Sequence, residues 1–501
     1  MESFNNLEPL YTAEQVRALD RAAIDGVGDN NEAVPGIQLM ARAGRTCFRI
    51  LLETWATPGA LQVFCGSGNN GGDGFVIAAL AKSRGMEVTV YQLGDPNKIK
   101  GDALTAREQA IGLGVEVLPF AADISLSSGV IVDALLGTGL GGDVRGPYLS
   151  AIELINRSEL PVMAVDIPSG LCADTGVVLG DAVQADITVT LIGLKRGLLT
   201  AQAPDYTGAV VFNDLQVPAA VYQQVPATVH RLELPTCLAW LQPRRQTAHK
   251  GDFGRLLVVG GDLGMAGALV MAAEAAARSG AGLVRAATHP EHITAMVARC
   301  PEVMALPVSN GQQLSEPLGA TDVVVIGPGL GKSPWSEQML HQVRQAGLPT
   351  LLDADALNLL AAGDVVATQC DSNWVLTPHP AEAARLLGIS VAQVQADRFS
   401  AVQEISRRYG GVTLLKGAGT LICDGNSTLL CDCGNPGMAS GGMGDVLSGI
   451  IGGLMAQGLS GMRAASLGAV LHAVAADRAA GDGQRSVLAT DLLPPLRKLL
   501  G

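Results

Sequence analysis

From Leu61 onward the chain repeats one local grammar, and few folds can accommodate it. A short apolar run stops at glycine, and a segment of helical period follows before the next apolar run. LQVFCGSG leads into GDGFVIAALAKSRG, and MEVTVYQLG comes next. GVIVDALLG and LPVMAVDIPSG continue the series, with a helix near Tyr148–Asn156 between them. The second half restarts it with GRLLVVGGDLGMAGALVMAAEAAARSGAG. GLVRAATH, TDVVVIGPGLG, LPTLLDADALNLL, NWVLTPHPAEAARLLG and VTLLKGAGTLICDG follow, and the last helices cover Gly444–Gln457 and Met462–Ala480. Strands alternating with helices require parallel sheets covered on both faces. Ligand-binding residues then belong at the carboxyl ends of the strands. Aromatic residues make up only 4% of the chain, so Ala, Val, Leu and Gly must pack helices closely on sheets.

A chain of 501 residues exceeds the size at which one core stops growing, so two α/β domains are expected. The stretch from Val217 to Gln246 holds several prolines and no sustained period, which marks a boundary or an ordered connector. The junction is placed near Tyr222–Arg231, giving domains of 1–222 and 223–501. The halves share no repeat period, which argues against internal duplication. Ahead of the first strand, TAEQVRALDRAAIDGVG reads as a helix with Thr12 as N-cap and Gln15 completing a capping box. NEAVPGIQLMARAGRTCFRILLE reads as a proline-started second helix.

The net charge of −13 argues against a nucleic-acid or anionic-membrane surface, while leaving backbone N–H groups free to bind anionic ligands. The nine cysteines are odd in number, scattered and without a CxxC pair, which points to reduced thiols. Cys431 and Cys433, both expected on a strand, are too few for a zinc site. MESFNNLEPLYTAEQ has neither a basic n-region nor an apolar h-region, and VLSGIIGGLMAQGL is too short to span a bilayer. A cytoplasmic chain is expected.

Two glycine-rich stretches carry a Gly-Asp pair. GSGNNGGDGF, from Gly66 to Phe75, follows a strand and opens a helix, where an anion gains from exposed N–H groups and the helix dipole. It lacks the spacing of the dinucleotide fingerprint, and its alternative reading is a tight strand-to-helix turn capped by Asn and Asp. VDALLGTGLGGDVRG puts Asp133 at a strand end before a second glycine loop, and AVDIPSGL puts Asp166 and Ser169 at another. Such oxygens suit a hard cation or ribose hydroxyls, and a buried carboxylate among them could transfer protons. In NPGMASGGMGDVLSG, glycines precede Asp445 and an apolar helix. A backbone anion hole and a carboxylate thus meet at one helix N-terminus, suited to a phosphate beside a hydroxyl.

NNGGDGF, VDALLGTGL and VDIPSGL, in this order and spacing, resemble the N-terminal domain of the bifunctional NAD(P)H-hydrate repair enzymes. KGAGT, GPGLG, LTPHPAEAARL, DADALN and GGMGD resemble the ribokinase-like NAD(P)H-hydrate dehydratase branch. The resemblance implies a Rossmann-like three-layer α/β/α domain followed by a ribokinase-like α/β domain. It implies epimerisation of the R and S hydrates of NADH and NADPH at C6, then nucleotide-dependent dehydration of the S hydrate. By the same resemblance Asn69, Asn70, Gly71, Gly72 and Asp73, with Gly137, Thr138, Gly139, Leu140, Gly141, Gly142 and Asp143, cradle the damaged dinucleotide. Asn70, Asp133 and Ser169 would hold K⁺. Asp166 would contact substrate and transfer the proton, and Lys195 reads either as a second site group or as a solvated strand-end lysine. In the second domain Lys416, Gly417, Ala418, Gly419, Thr420 and Gly444 would bind nucleotide. Ala266, Gly329, His379 and Asp445 would contact the hydrated dinucleotide. Asp445 would act as base toward the C6 hydroxyl, Mg²⁺ would offset phosphate charge, and the fused layout favours ADP, giving AMP, over ATP. His249 stays unassigned, and a homo-oligomer is expected. The rival reading is a vitamin-precursor small-alcohol kinase in the second domain beside a non-catalytic dinucleotide-binding module.

Overall fold

A computed structural model of the chain describes residues 4, 6–27, 33–363, 372–481 and 483–501. Cys370 and part of the N-terminal segment read above for a leader lie outside the described residues. The chain forms two compact units: residues 9–229, and residues 230–501 together with those up to Glu8.

Strand β1 (Glu8–Leu10) is taken up by the larger sheet described below. In the first unit β2 (Leu61–Cys65), β3 (Val88–Gln92), β4 (Glu116–Pro119), β5 (Val130–Ala134), β6 (Val162–Val165), β7 (Ile187–Leu191) and β8 (Ala209–Asn213) form a sheet in the order β4-β3-β2-β5-β6-β7-β8. Every pair is parallel. All five residues of β5 and of β7 are buried, as strands covered on both faces must be. The order reverses between β2 and β5, so a crevice opens beyond their carboxyl ends. The helix Asn69–Ser83 leaves β2 directly at the glycine turn.

The glycines of that turn are used differently from the expectation. A Cβ at Gly71 would collide with the Gly66 carbonyl oxygen, and one at Gly72 would lie 2.6 Å from Met40 Cε. One at Gly74 would lie 2.7 Å from Ala134 Cβ. Gly71, Gly72 and Gly74 are buried and let the helix lie against the sheet and the neighbouring helix Gly36–Thr54. The helix Ala13–Asp25 carries its capping box, with the Gln15 N–H donating to Thr12 Oγ1 at 3.1 Å and the Thr12 N–H to Gln15 Oε1 at 2.9 Å.

Between 217 and 246 the chain is an ordered connector holding the helix Ala219–Gln224, β9 (Val229–Arg231) and the short helix Leu234–Leu238. The second unit adds β10 (Arg255–Val259), β11 (Leu283–Thr288), β12 (Met304–Pro307), β13 (Val323–Ile326), β14 (Thr350–Leu352), β15 (Trp374–Leu376), β16 (Val412–Leu415), β17 (Thr420–Cys423) and β18 (Thr428–Cys431). The sheet order is β1-β9-β18-β17-β16-β15-β14-β13-β10-β11-β12. Pairing is parallel from β12 through β16 and antiparallel across β16, β17 and β18. Lys416–Gly419 is therefore a hairpin turn, not a strand-to-helix turn. Cys433 lies beyond the end of β18, in a segment bent by Gly434 at φ 108°, which corrects its expected place on a strand.

The helix Met443–Ala456 is buried along nearly its whole length and packs on the Ala-rich helix Ala266–Arg278. Gly449 makes the approach possible, since a Cβ there would collide with the Ala272 carbonyl oxygen and lie 2.8 Å from Ala275 Cβ. Helix propensity alone would make Gly449→Ala stabilising by about 1 kcal/mol. Overpacking costs about 1–3 kcal/mol and should win. Thermal unfolding should show a lower Tm for Gly449→Ala, and a higher Tm would mean that the helix pair has slack.

Candidate active sites

A cavity of about 550 Å³ opens beyond β2 and β5 in the first unit. Asn69, Asn70, Asp73, Gly137, Thr138, Gly139, Leu140, Gly141 and Asp166 all line it. Gly71 and Gly72 sit behind it in the packing described above. Gly142 and Asp143 are exposed and off its wall, with Asp143 4.0 Å from Arg145. Arg17, Asp20 and Tyr148 line it too, none of them expected from the sequence.

Asp166 follows β6 with φ 70°, and the Ile167 N–H donates to the Val165 carbonyl at 2.8 Å. Ile192, after the adjacent β7, repeats this: φ is 59° and the Gly193 N–H donates to the Leu191 carbonyl at 2.7 Å. Both are γ-turns of the rare positive-φ form, a conformation a β-branched residue seldom takes. The two turns present one carboxylate to one lysine. Lys195 Nζ donates to Asp166 Oδ1 and, at 2.9 Å, to the Leu191 carbonyl, while the Leu191 N–H donates to the same Asp166 oxygen at 3.2 Å. Lys195 is fully buried, which removes the solvated reading.

Two further carboxyls face this pair electrostatically. Burial, then the Asp166 charge, pushes Asp20 up to about 6, with Lys195 working in the opposite sense. Burial, then Asp166 and Asp20, pushes Asp73 well above the carboxylate range. The sequence did carry a signal for Asp20: it stands at i+4 from buried Val16 and i+7 from buried Ala13, an acid on the apolar face of its helix.

Asp133 is fully buried and pushed up to about 6 by that burial. It accepts from the Ser169 N–H at 2.8 Å, Ser169 Oγ at 2.6 Å and the Leu135 N–H at 3.2 Å. Among the described residues no cationic side chain pairs with it. Both polar atoms of the Asn70 amide are buried without a partner. A buried carboxylate lacking a counter-charge and an unpartnered amide fit a monovalent cation held by oxygens.

In the second unit the site gathers at the ends of β14, β15 and β16. Asp353, 1% exposed, accepts from Lys416 Nζ at 2.9 Å, Thr377 Oγ1 at 2.9 Å and Ser448 Oγ at 2.8 Å. Lys416 Nζ is also 3.9 Å from Glu382 Oε2. Burial opposes its charge, but Asp353 and Glu382 hold the ammonium above the ordinary lysine value. A Cβ on Gly444 would lie 3.3 Å from Lys416 Nζ, so glycine lets the helix start close to the ammonium. Asp445 stands in the first turn of the helix Met443–Ala456, after Gly442 at φ 91°. Burial, then the Asp353 charge, pushes Asp445 up to about 7. Burial also pushes Glu382 up to about 7, with Lys416 opposing.

His379 caps the helix Pro380–Leu387. Its Nδ1 accepts from the Ala381 and Glu382 N–H groups, and its own N–H donates to Glu382 Oε2 at 2.8 Å. Burial, then Lys416, lowers the imidazole pKa, so the ring is neutral with its proton on Nε2, 3.3 Å from Glu382 Oε1. Both ring nitrogens thus have partners within the helix start, and the ring is half-exposed. Gly329, at φ 58°, packs on Met265 beside Ala266, which opens its helix, and the Asp262 N–H donates to the Gly329 carbonyl at 2.7 Å. Ala418 and Gly419 complete the Lys416–Gly419 turn, and Thr420 Oγ1 donates to the Gly417 carbonyl at 3.1 Å. His249 caps a short exposed turn against Asp252. Sequence reasoning missed Asp353, Thr377, Glu382 and Ser448 as individual site residues.

A carboxyl raised on folding binds more protons in the folded chain between its ordinary value, 3.8 for Asp445, and about 7. Its contribution to stability is present at low pH and falls as pH rises through that window. Asp445→Asn should therefore have a higher Tm than wild type at pH 8, a gain that fades toward pH 4. Asp353→Asn should lower Tm at both, because it weakens the acceptor shared by three donors. Equal Tm for wild type and Asp445→Asn at pH 8 would refute the raised carboxyl.

Residues 256–498 match the family described as NAD(P)H-hydrate dehydratase, and residues 36–197 match the one described as YjeF-related protein N-terminus. The bifunctional NAD(P)H-hydrate repair enzyme Nnr of Coxiella burnetii is 47% identical over 493 residues, covering 98% of this chain and 99% of its own. The enzyme of the same name from Escherichia coli is 44% identical over 493 residues, covering 98% and 94%. A solved ribokinase-like superfamily protein from Enterococcus faecalis is 29% identical over 55% of this chain and 95% of its own, with a TM-score of 0.51. The second unit thus has the ribokinase-like α/β fold. Matched from end to end by such relatives, the chain belongs to the family of bifunctional NAD(P)H-hydrate repair enzymes.

Proposed function

We infer that this enzyme repairs hydrated NADH and NADPH in two steps. The first unit epimerises the R and S hydrates at C6, and the second dehydrates the S hydrate to NAD(P)H. Relatives named for this repair span both units in one chain, which leaves the small-alcohol kinase reading without support of its own. The observation that carries the site reading is Asp445: a carboxyl raised to about 7, at a glycine-opened helix N-terminus, beside Lys416.

In the second unit, phosphoryl transfer from ADP to the C6 hydroxyl would turn a poor leaving group into a good one. That transfer releases AMP, and elimination of phosphate from C6 with a proton from C5 then yields the reduced nicotinamide. Asp445 takes the hydroxyl proton, while Lys416 to Thr420 and Gly444 hold the nucleotide. Ala266, Gly329 and the half-exposed ring of His379 would face the hydrated dinucleotide. Among the described residues no cluster of three or more His, Cys, Asp or Glu could hold a metal. Mg²⁺ therefore fits as an ion carried mainly by the phosphates, whose charge it offsets when bound.

In the first unit Asp166 moves the proton at C6, with Lys195 holding that carboxylate in place and Asp20 and Asp73 as neighbouring proton carriers. Asn69, Asn70, Asp73 and Gly137–Gly141 form the cradle. The unpartnered Asn70 amide and the buried Asp133 and Ser169 oxygens support K⁺, which would supply the missing counter-charge. No helix among the described residues is long and apolar enough to cross a membrane. A cytoplasmic location is our reading, supported by free thiols at all described cysteines, and a homo-oligomer is a further reading that light scattering would test.

Incubation with hydrated NADH should restore absorbance at the reduced-nicotinamide band with ADP more readily than with ATP, and faster turnover with ATP would reverse the nucleotide assignment. The rate should rise with pH through about 7 as Asp445 loses its proton. Asp445→Asn should cost about 10²–10⁴-fold in kcat and abolish that rise. If dehydration persists at the wild-type rate, Asp445 is not the base. Asp166→Ala should slow clearance of the R epimer while sparing the S epimer. Equal clearance of both, at enzyme levels where spontaneous epimerisation is negligible, would remove the epimerase assignment from this residue.

A further inference from the structure

Arg398 is the largest side chain buried to this degree, at 1% exposure, and no step above uses it. It opens the helix Arg398–Tyr409, and its guanidinium lies against the Lys416–Thr420 turn. Nη2 donates to the carbonyls of Leu415, Lys416 and Gly419, each at 3.3 Å. Nη1 donates to the Lys416 carbonyl at 3.3 Å and to Gln395 Oε1 at 3.0 Å, while Nε is buried with no acceptor. Among the described residues no carboxylate pairs with this cation. Burial lowers its pKa to about 10, which still leaves it charged at neutral pH. Removing a cation from water without a counter-ion costs several kcal/mol, and carbonyl dipoles recover only part of that.

The turn is shaped around this group. Gly417 has φ 140°, and a Cβ there would lie 2.7 Å from Arg398 Nη1 and 3.0 Å from Nη2. The glycine that the KGAGT motif displays is thus required by an arginine nineteen residues earlier in the chain. The C=O and N–H of a trans peptide point in opposite directions. A Lys416 carbonyl drawn toward the guanidinium therefore sends the Gly417 N–H away from it.

We propose that Arg398 is a positioning residue for the nucleotide. It fixes the Lys416–Thr420 turn in its anion-binding form and sets a permanent positive charge behind the phosphates of a nucleoside diphosphate, which supplies the counter-charge the guanidinium lacks. This rests on reading that turn as the nucleotide site. Nucleotide affinity, and not the chemical step, depends on Arg398.

The test uses the full chain with Arg398→Met, which keeps the stem, and Arg398→Lys, which keeps the charge but loses the planar fork. The Tm of each variant without nucleotide serves as the folding control, and epimerisation by the first unit as the control for enzyme concentration. Steady-state dehydration and the ADP-induced shift in Tm are measured for each. Both variants should raise KM for ADP by about tenfold or more, with kcat moved far less and the ADP-induced shift in Tm reduced. If Arg398→Met does not fold, Arg398→Lys alone decides. A KM for ADP at the wild-type value in Arg398→Lys would overturn the proposal, as would a loss confined to kcat. Lys416→Met separates this from the parent reading. If that variant keeps the full ADP-induced shift, the turn is not the nucleotide site. If it loses the shift while Arg398→Lys keeps it, only the role of Arg398 fails.

Discussion

Parallel pairing is the constraint from which the rest of this molecule follows. Strands that run the same way all stop on one edge, and each crossover must return along a face of the sheet. In the first unit that edge collects the Asn69–Asn70 turn, the Gly137 loop and the Asp166 turn from β2, β5 and β6. In the second it collects Asp353, the Pro378–His379 step and Lys416 from β14, β15 and β16. With so few aromatic residues, the crossover helices come close through glycine and alanine. The same small residues that allow Met443–Ala456 to lie on Ala266–Arg278 bring its N-terminus to Lys416.

The two sites share an electrostatic plan despite unrelated motifs. Each sets one largely buried lysine among three carboxyl groups: Lys195 with Asp166, Asp20 and Asp73, and Lys416 with Asp353, Glu382 and Asp445. One carboxylate in each set is tied directly to the ammonium by hydrogen bonding. Burial first, and like charges second, hold the remaining carboxyls above the ordinary carboxylate range, because one ammonium cannot offset all three. Proton-handling groups are thereby produced in pairs, by burial with like charges close by.

Much of this was legible in the sequence, because the grammar of strand, glycine and helix is local. The Thr12 capping box, the parallel sheets, the strand-end positions of Asp133 and Asp166, and the helix start at Asp445 are all read over a few residues. What was not legible depends on distant partners. Ser448 meets Asp353 across 95 positions, so no window reveals that bond. Lys195 could not be told from a solvated lysine until Asp166, 29 positions away, lay beside it. The glycines at 71 and 72 suggested backbone approach to a ligand, and the space they leave is filled by Gly66 and Met40 instead. A glycine reports that something comes close without saying what.

The paired γ-turns at Asp166 and Ile192 have a consequence for how the sequence can change. A left-handed residue costs about 1 kcal/mol, and isoleucine pays more than aspartate. Glycine or asparagine would ease the backbone at both positions. At 192, however, either exchange would empty a side-chain place buried in the core, and at 166 either would leave the fully buried Lys195 without its carboxylate, and both losses exceed the strain relieved. Selection for heat resistance and selection for turnover should therefore both keep the strained residue at each turn.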